Sequence, residues 1–270
     1  MIGWPIIRHS IWRLNGTDRQ FSILKAVPSE AAEWVKLKER TDRKLLTLEL
    51  PQENLGQPAY IGIDSGSDDG ITLFPEQWTR WRSAHPWQPV TLVAYFNPAA
   101  GIVVSEVSWA EDVDLFGLTL RGVAISRANP VQIQLMPTGT VAILGLAALL
   151  RLDVIFDGKS GVTYAHPLIT QPKRYKHNRL GAVFVPAGLE GNDLVAHVVE
   201  GSPAAMAGLK DGDILLKIDQ LDVTSWQTTP GILPLSRFWE QAPGTRLRLK
   251  LKRAGKVVVC NVELRTILGP

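Results

Sequence analysis

Apolar positions in this chain fall into short runs, alternating or clustered, and are separated by Pro, Gly and Asn. Leu45–Leu50, Ala59–Ile63, Val90–Phe96, Ile102–Val107, Leu115–Leu120, Val123–Ser126, Val131–Leu135 and Val154–Phe156 read as strands. Two helices are predicted among them: Ser29–Glu39, capped by Ser29 and carrying Trp34, Val35 and Leu37, and the short apolar Gly145–Arg151. Many short strands with few helices predict a mainly β chain whose first part closes into a barrel or sandwich. Thr170–Asn178 is polar, basic and interrupted by Pro172, so a linker is expected over 169–177. Beyond it the pattern predicts strands Gly181–Val185, Leu194–Val199, Ile214–Ile218, Arg246–Arg253 and Lys256–Leu264, with helices Pro203–Gly208 and Pro234–Gln241. That order describes a second, smaller β-sandwich with two short helices. The expected division is an N-terminal segment 1–44, a domain 45–168, the linker, and a domain 178–266.

Composition narrows the class. A chain of 270 residues with 45% hydrophobic and 20% charged positions suits a globular protein of about two domains. The net charge of +3 is unevenly spread: residues 1–44 and 171–270 are basic, whereas 45–170 are acidic. Separate units fit this layout better than a nucleic-acid binder, whose basic residues would share one surface, so no nucleic-acid partner is expected. The lone Cys260, within Val257–Cys260, reads as a buried strand thiol. The apolar run Val141–Leu150 is about half the length of a membrane span, so no transmembrane segment is expected. Met1–Pro5 lacks the basic and apolar regions of a signal peptide. A cytoplasmic site and an extracytoplasmic one reached by a leader since removed both stay open.

The chemistry centres on Asp64-Ser65-Gly66-Ser67, which follows the apolar strand Tyr60–Ile63 and precedes Ile71-Thr72-Leu73. A strand delivers the Asp to a tight turn, Gly66 permits close backbone approach, and the Ser65 hydroxyl can donate and accept. By itself the triplet describes an ordinary turn. With its neighbours, Tyr60 to Asp69 resembles the active-site stretch of retropepsin-like (retroviral-type) aspartic proteases. Ala142 to Leu150, followed by Leu152–Asp157, is similar to that family's second signature, an apolar pair and Gly packed beneath the catalytic loop, then a short helix and a strand. The resemblance covers about residues 45–168 and implies a single-lobe closed β-barrel or sandwich. It implies Asp64 as the catalytic carboxylate, with Ser65, Gly66 and Gly145 supporting its loop. Asp68 and Asp69 would border the substrate cleft, and Asn97 and Gly101 would flank the tip of a flap hairpin. Ser65 replaces the commoner Thr, and the flap tip holds Pro98 and one Gly.

Aspartic catalysis uses two carboxylates that share one proton. This chain offers one Asp-Ser-Gly; Asp211-Gly212-Asp213 and Asp157-Gly158 lie in other contexts. An active enzyme is therefore expected to be a two-fold homodimer with Asp64 of each copy on the axis, needing neither cofactor nor metal. A rival reading makes Ser65 the nucleophile of a trypsin-like site. Against it, Ile63 stands where an oxyanion-hole Gly is needed, and His9 is the only upstream histidine. His85 and His166 follow Ser65 and match no known triad order.

Glu200 to Leu215 resembles the signature of bacterial PDZ domains, with Ser202 capping a helix begun by Pro203 and ended by Gly208. Such domains add a peptide strand to a sheet edge and hold its terminal carboxylate on backbone amides. The resemblance implies Leu180, Gly181, Ala182 and Val183 on the carboxylate side, Leu235 and Phe238 on the helix side, and added charge from Arg179. Residues 1–44 resemble nothing known. Trp4, Trp12, Phe21 and Trp34 predict that they pack on the protease-like part. Two functions follow: an aspartic endopeptidase whose PDZ domain binds or positions peptide substrates, or an inactive protease-fold scaffold acting through peptide binding.

Overall fold

Alternation within short segments produces 18 strands and six helices of at most ten residues among the described residues. The computed structural model describes residues 4–40, 45–50, 59–97, 101–115, 117–168, 176–188 and 191–269. In chain order the strands are β1 (Ile11–Asn15), β2 (Gln20–Leu24), β3 (Val35–Arg40), β4 (Thr47–Glu49), β5 (Tyr60–Asp64), β6 (Ile71–Leu73), β7 (Val90–Asn97), β8 (Gly101–Leu115) and β9 (Leu118–Arg127). They continue with β10 (Thr140–Gly145), β11 (Leu152–Asp157), β12 (Val162–Pro167), β13 (Ala182–Pro186), β14 (Leu194–Val198), β15 (Ile214–Ile218), β16 (Leu221–Asp222), β17 (Arg246–Arg253) and β18 (Lys256–Glu263). The helices are α1 (Trp4–Ile7), α2 (Pro75–Ala84), α3 (Pro130–Leu135), α4 (Leu146–Leu149), α5 (Pro203–Met206) and α6 (Ser236–Trp239).

The chain forms two units, and neither is continuous in sequence. The first comprises Met1–Pro86 and Trp109–Lys173; the second comprises Trp87–Ser108 and Arg174–Pro270. In the first unit the strand order runs β2-β1-β11-β12-β3-β4-β5-β10-β6-β9. This sheet does not close. β2 pairs only with β1 among the described residues, and four of its five positions are exposed, so no described strand covers its outer edge. Of the expected barrel or sandwich, the closed barrel is not what the described residues form; their sheet is open. Its core gathers Leu37, Leu48, Ile61, Ile71, Leu120, Ile125, Leu149 and Leu152. The N-terminal segment supplies three strands to this sheet, with β1 pairing to β11 and β3 to β12 and β4.

Three segments depart from the pattern-based expectation. Ser29–Glu39 is not one helix: a 3-10 turn spans Ser29–Glu33 and the chain then extends as β3. Leu37 and Glu39 point inward while Lys36 and Lys38 are exposed, the period-two layout that pairing with β12 requires. Val131–Leu135 is a helix rather than a strand. The Asn129 carboxamide accepts from the Val131 and Gln132 amides, Gln132 returns the bond to the Asn129 amide, and Pro130 occupies the first turn. α2 also carries a proline, Pro75, in its first turn but has no side-chain cap, so no local start signal marked it.

In the second unit, β13-β14-β15-β17-β18 form an antiparallel sheet, with β16 beside β15. Leu180, Ala182, Phe184, Ile218, Leu249 and Trp239 share its core, and Cys260 is buried there, its thiol pushed up by desolvation. The hairpin β7–β8 also belongs to this unit over Trp87–Ser108, with β7 alongside β13.

Candidate functional sites

The acidic loop is held by an unusual strand arrangement. β5 carries the chain to Asp64 and β6 carries it away, yet the two are not neighbours: β10 lies between them, parallel to β5 and antiparallel to β6. The register sets Gly145 beside Asp64 and Leu144 beside both Ile63 and Ile71. Residues 65–70 therefore bridge over the end of β10. A Cβ on Gly145 would stand 2.3 Å from the Asp69 carbonyl oxygen, so glycine is required by this close approach. α4 starts immediately after it, and its first free amides find partners in the loop: Leu146 N–H donates to Ser67 O (2.8 Å) and Ala147 N–H to Asp69 O (3.0 Å). Gly145 N–H donates to Gly70 O at 2.9 Å, completing the seam.

On this base Asp64, Ser65, Gly66 and Asp68 are exposed. The Asp64 carboxylate accepts from the Gly66 amide at 3.1 Å, and its carbonyl accepts from the Ser67 amide at 3.2 Å. Asp69 turns inward. Ser67 Oγ donates to Asp69 Oδ2 (2.9 Å) and accepts from the Asp69 amide (3.2 Å). Burial pushes the Asp69 carboxyl above its ordinary range; Ser67 opposes this, while Asp68 and Asp64 add to it. Asp64, Ser65, Gly66, Asp68, Asp69 and Gly145 thus form one constellation. Asn97 and Gly101 pair across the end of the β7–β8 hairpin, in the second unit. Residues 98–100 lie outside the described residues.

The histidines weighed for a serine triad make these contacts. His9 Nε2 accepts from Arg8, His85 Nδ1 meets the Trp81 carbonyl, and His166 stacks on Trp34. Among the described residues, no group of three or more His, Cys, Asp or Glu side chains is placed to hold a metal ion.

The second site lies at the start of β13. Gly181 has φ +72, and a Cβ there would stand 2.3 Å from Ser202 Cβ, so the loop sits directly on the cap of α5. Ser202 Oγ accepts from the Ala205 amide at 3.2 Å, as its sequence position predicts. Leu180, Ala182 and Leu235 are core residues, and Phe238 packs partly buried against the same cluster. Val183 is buried as well. Arg179 does not face the loop's amides. Its guanidinium donates to the Glu240 and Gln241 carbonyls (2.9 and 3.2 Å), and its amide to the Trp239 carbonyl (2.8 Å), so it ties down the end of α6.

One residue here, at the border of the expected linker and domain, had no role predicted for it. Asn178 is 4% exposed, and its Oδ1 accepts from the amides of Leu180 (2.9 Å) and Gly181 (3.2 Å). Its Nδ2 donates to the Leu92 and Ala182 carbonyls (2.9 and 2.8 Å), and its own carbonyl accepts from Thr91 Oγ1 at 2.8 Å. An Asn two and three residues before such amides is the usual signal for this local bonding.

Residues 179–264 match the family model described as PDZ domain. A stretch of 73 residues is 34% identical to a protein of Neisseria meningitidis serogroup A that carries the provisional name of a zinc metalloprotease; it covers 27% of this chain and 15% of that protein. Among solved structures, an HtrA-type protease with a bound tripeptide aligns over 95% of this chain and 94% of its own, at 14% identity and a TM-score of 0.30. A serine endoprotease from Yersinia pestis aligns over 94% and 92%, at 14% identity and a TM-score of 0.24. Superpositions this loose carry no argument about the chemistry of the first unit. The chain contains a PDZ domain within a mainly β architecture.

Proposed function

We propose that this chain is an aspartic endopeptidase in which Asp64 supplies half of a catalytic dyad, and whose PDZ domain binds or positions peptide substrates. The observation that carries the reading is the seam beneath the acidic loop: β10 inserted between β5 and β6, with Gly145 against Asp69 and α4 hung from the loop's carbonyls. That hydrogen-bonded scaffold leaves Asp64 exposed, available to a second copy. Two such carboxylates brought to about 3 Å cannot both ionise, so one proton is shared. The ionised member takes a proton from water as the water attacks the peptide carbonyl, and the protonated member gives its proton to the carbonyl oxygen. Ser65, next in the loop, is suited to tie the two copies' loops together through its hydroxyl. One copy alone holds half the acid–base pair, so the reading requires a homodimer.

The test is cleavage of an unfolded polypeptide between about pH 4 and 7, the range in which a shared proton is available. Asp64→Asn is expected to abolish cleavage with the fold intact, and Ser65→Ala to reduce it. Cleavage that persists in Asp64→Asn but vanishes in Ser65→Ala would transfer the chemistry to a serine nucleophile. Absence of cleavage by the native protein, in a preparation shown by sedimentation to be dimeric, would leave peptide binding as the function.

A further inference from the structure

The PDZ loop that should receive a ligand's C-terminus already has two of its amides and one of its carbonyls taken. Carboxylate recognition in this mode relies on free backbone amides at the start of the receiving strand. Here the amides of Leu180 and Gly181 both donate to Asn178 Oδ1. The Arg179 amide is spent on Trp239, and the Arg179 guanidinium on Glu240 and Gln241. The Ala182 carbonyl, which the first amide of an added strand would seek, accepts from Asn178 Nδ2. One carboxamide thus presents an acceptor to the amide pair and a donor to the neighbouring carbonyl, as the terminal residue of a bound peptide would. The same Nδ2 also holds Leu92 O, and Thr91 Oγ1 holds Asn178 O, with Thr91 fully buried.

We propose that Asn178 is a built-in occupant of the terminal-carboxylate subsite, so that this PDZ domain excludes free C-termini and holds the β7–β8 hairpin of its own chain there instead. The proposal rests on the PDZ match and on these hydrogen bonds, and is independent of how the acidic loop works. Asn178 is a specificity-determining residue with two separable functions. Its Oδ1 fills the subsite, and its Nδ2 fastens the hairpin.

The experiment uses the full chain. Hydrogen exchange resolved to single amides by NMR should show Leu180 and Gly181 protected by about 100-fold or more over exposed amides in the native protein. Asn178→Gly should release both, together with the amides around Leu92, while β17 and β18 stay protected as the control for folding. Asn178→Asp separates the functions: an oxygen still faces the two amides, but carboxylate oxygen meets the Leu92 and Ala182 carbonyls. It should keep Leu180 and Gly181 protected and loosen the hairpin alone. The second arm is fluorescence anisotropy with a labelled unstructured peptide ending in Val, as free acid and as amide. Native protein should discriminate between the two by less than about twofold, and Asn178→Gly should prefer the acid by about fivefold or more. Fast exchange of Leu180 and Gly181 in the native protein, or a native preference for the acid of about tenfold or more, would overturn the proposal. If neither peptide binds, the exchange arm decides alone.

Discussion

Glu39 lies in an environment far from what water would offer a carboxyl group. It sits on β3, is 4% exposed, and one carboxyl oxygen accepts from Thr163 Oγ1 at 2.7 Å while the other has no partner among the described residues. Desolvation pushes its carboxyl up from 4.5 to about 7; the Thr163 bond opposes this and Asp157 adds to it. The folded state therefore holds a proton that the unfolded chain has released between those two values. Stability is greatest below the unfolded value and falls as pH rises toward 7. Urea unfolding at pH 5 and pH 8 should show a loss of ~2 kcal/mol in the native protein that Glu39→Gln largely removes. An equal pH dependence in both proteins would place the titration elsewhere. Nothing in the sequence singled out Glu39, because its burial follows from β3 pairing with β12, a long-range contact.

Elements with local signatures were legible, and those decided by distant partners were not. α5 was readable because Ser202, Pro203 and Gly208 carry its start and stop within one short segment, and β15 and β17 matched their predicted limits. β3 was hidden because Ser29-Glu30 starts a helix that β12 then overrides, and α3 because Val131-Gln132-Ile133-Gln134-Leu135 alternates like a strand. In the acidic loop, sequence pattern pointed to Asp64 and Gly145, and their apposition depends on the β5–β10 pairing. Asn178 was missed because a polar, basic stretch looks like linker whatever its side chains bind. The turn Asp211-Gly212-Asp213 holds more than a bend. Asp213 is 1% exposed, receives Arg253 through two bonds (2.7 and 2.6 Å) and accepts from the Lys210 amide at 2.9 Å. Burial alone would push its carboxyl up, but the Arg253 and Lys210 bonds outweigh it and the net shift is downward. Its stabilisation is present above the ordinary carboxylate range and is lost as pH falls through the lowered value. Arg253→Met should cost about 3 kcal/mol by leaving this carboxylate buried and unpaired, measured by urea unfolding near neutral pH. A loss within ~0.5 kcal/mol would mean that water reaches Asp213 instead.

At the scale of the whole molecule, the two units share the chain by turns. Trp87–Ser108 leaves the first unit, joins the second, and the same strand β8 returns as Trp109–Leu115. The PDZ match begins at residue 179, so sequence comparison delimits the domain without its hairpin. Val183 and Val185 point away from the PDZ core cluster yet are buried, and β7 runs alongside β13. A fragment comprising 174–270 should therefore expose them, bind an apolar dye, and unfold below the corresponding unit of the full chain. Adding Trp87–Ser108 as a separate peptide should restore part of the difference, as judged by melting temperature. A fragment as stable as the full-chain unit would show that the hairpin contributes nothing to it.

The same arrangement sets an order of events at the ribosome. The hairpin emerges about seventy residues before Asn178, and at ~5–20 residues per second it waits several seconds for the loop that receives Thr91 and Leu92. β5 and β6 are complete when that interval begins and β9 follows the hairpin directly, while β10, which must enter between β5 and β6, arrives before β13 does. The acidic loop can thus be seated before the hairpin is claimed. A stall after residue 168 would leave a nascent first unit with β7–β8 unclaimed, a state open to chaperones or proteases. The time spent translating the basic stretch up to Asn178 is therefore a period of exposure written into the order of the chain.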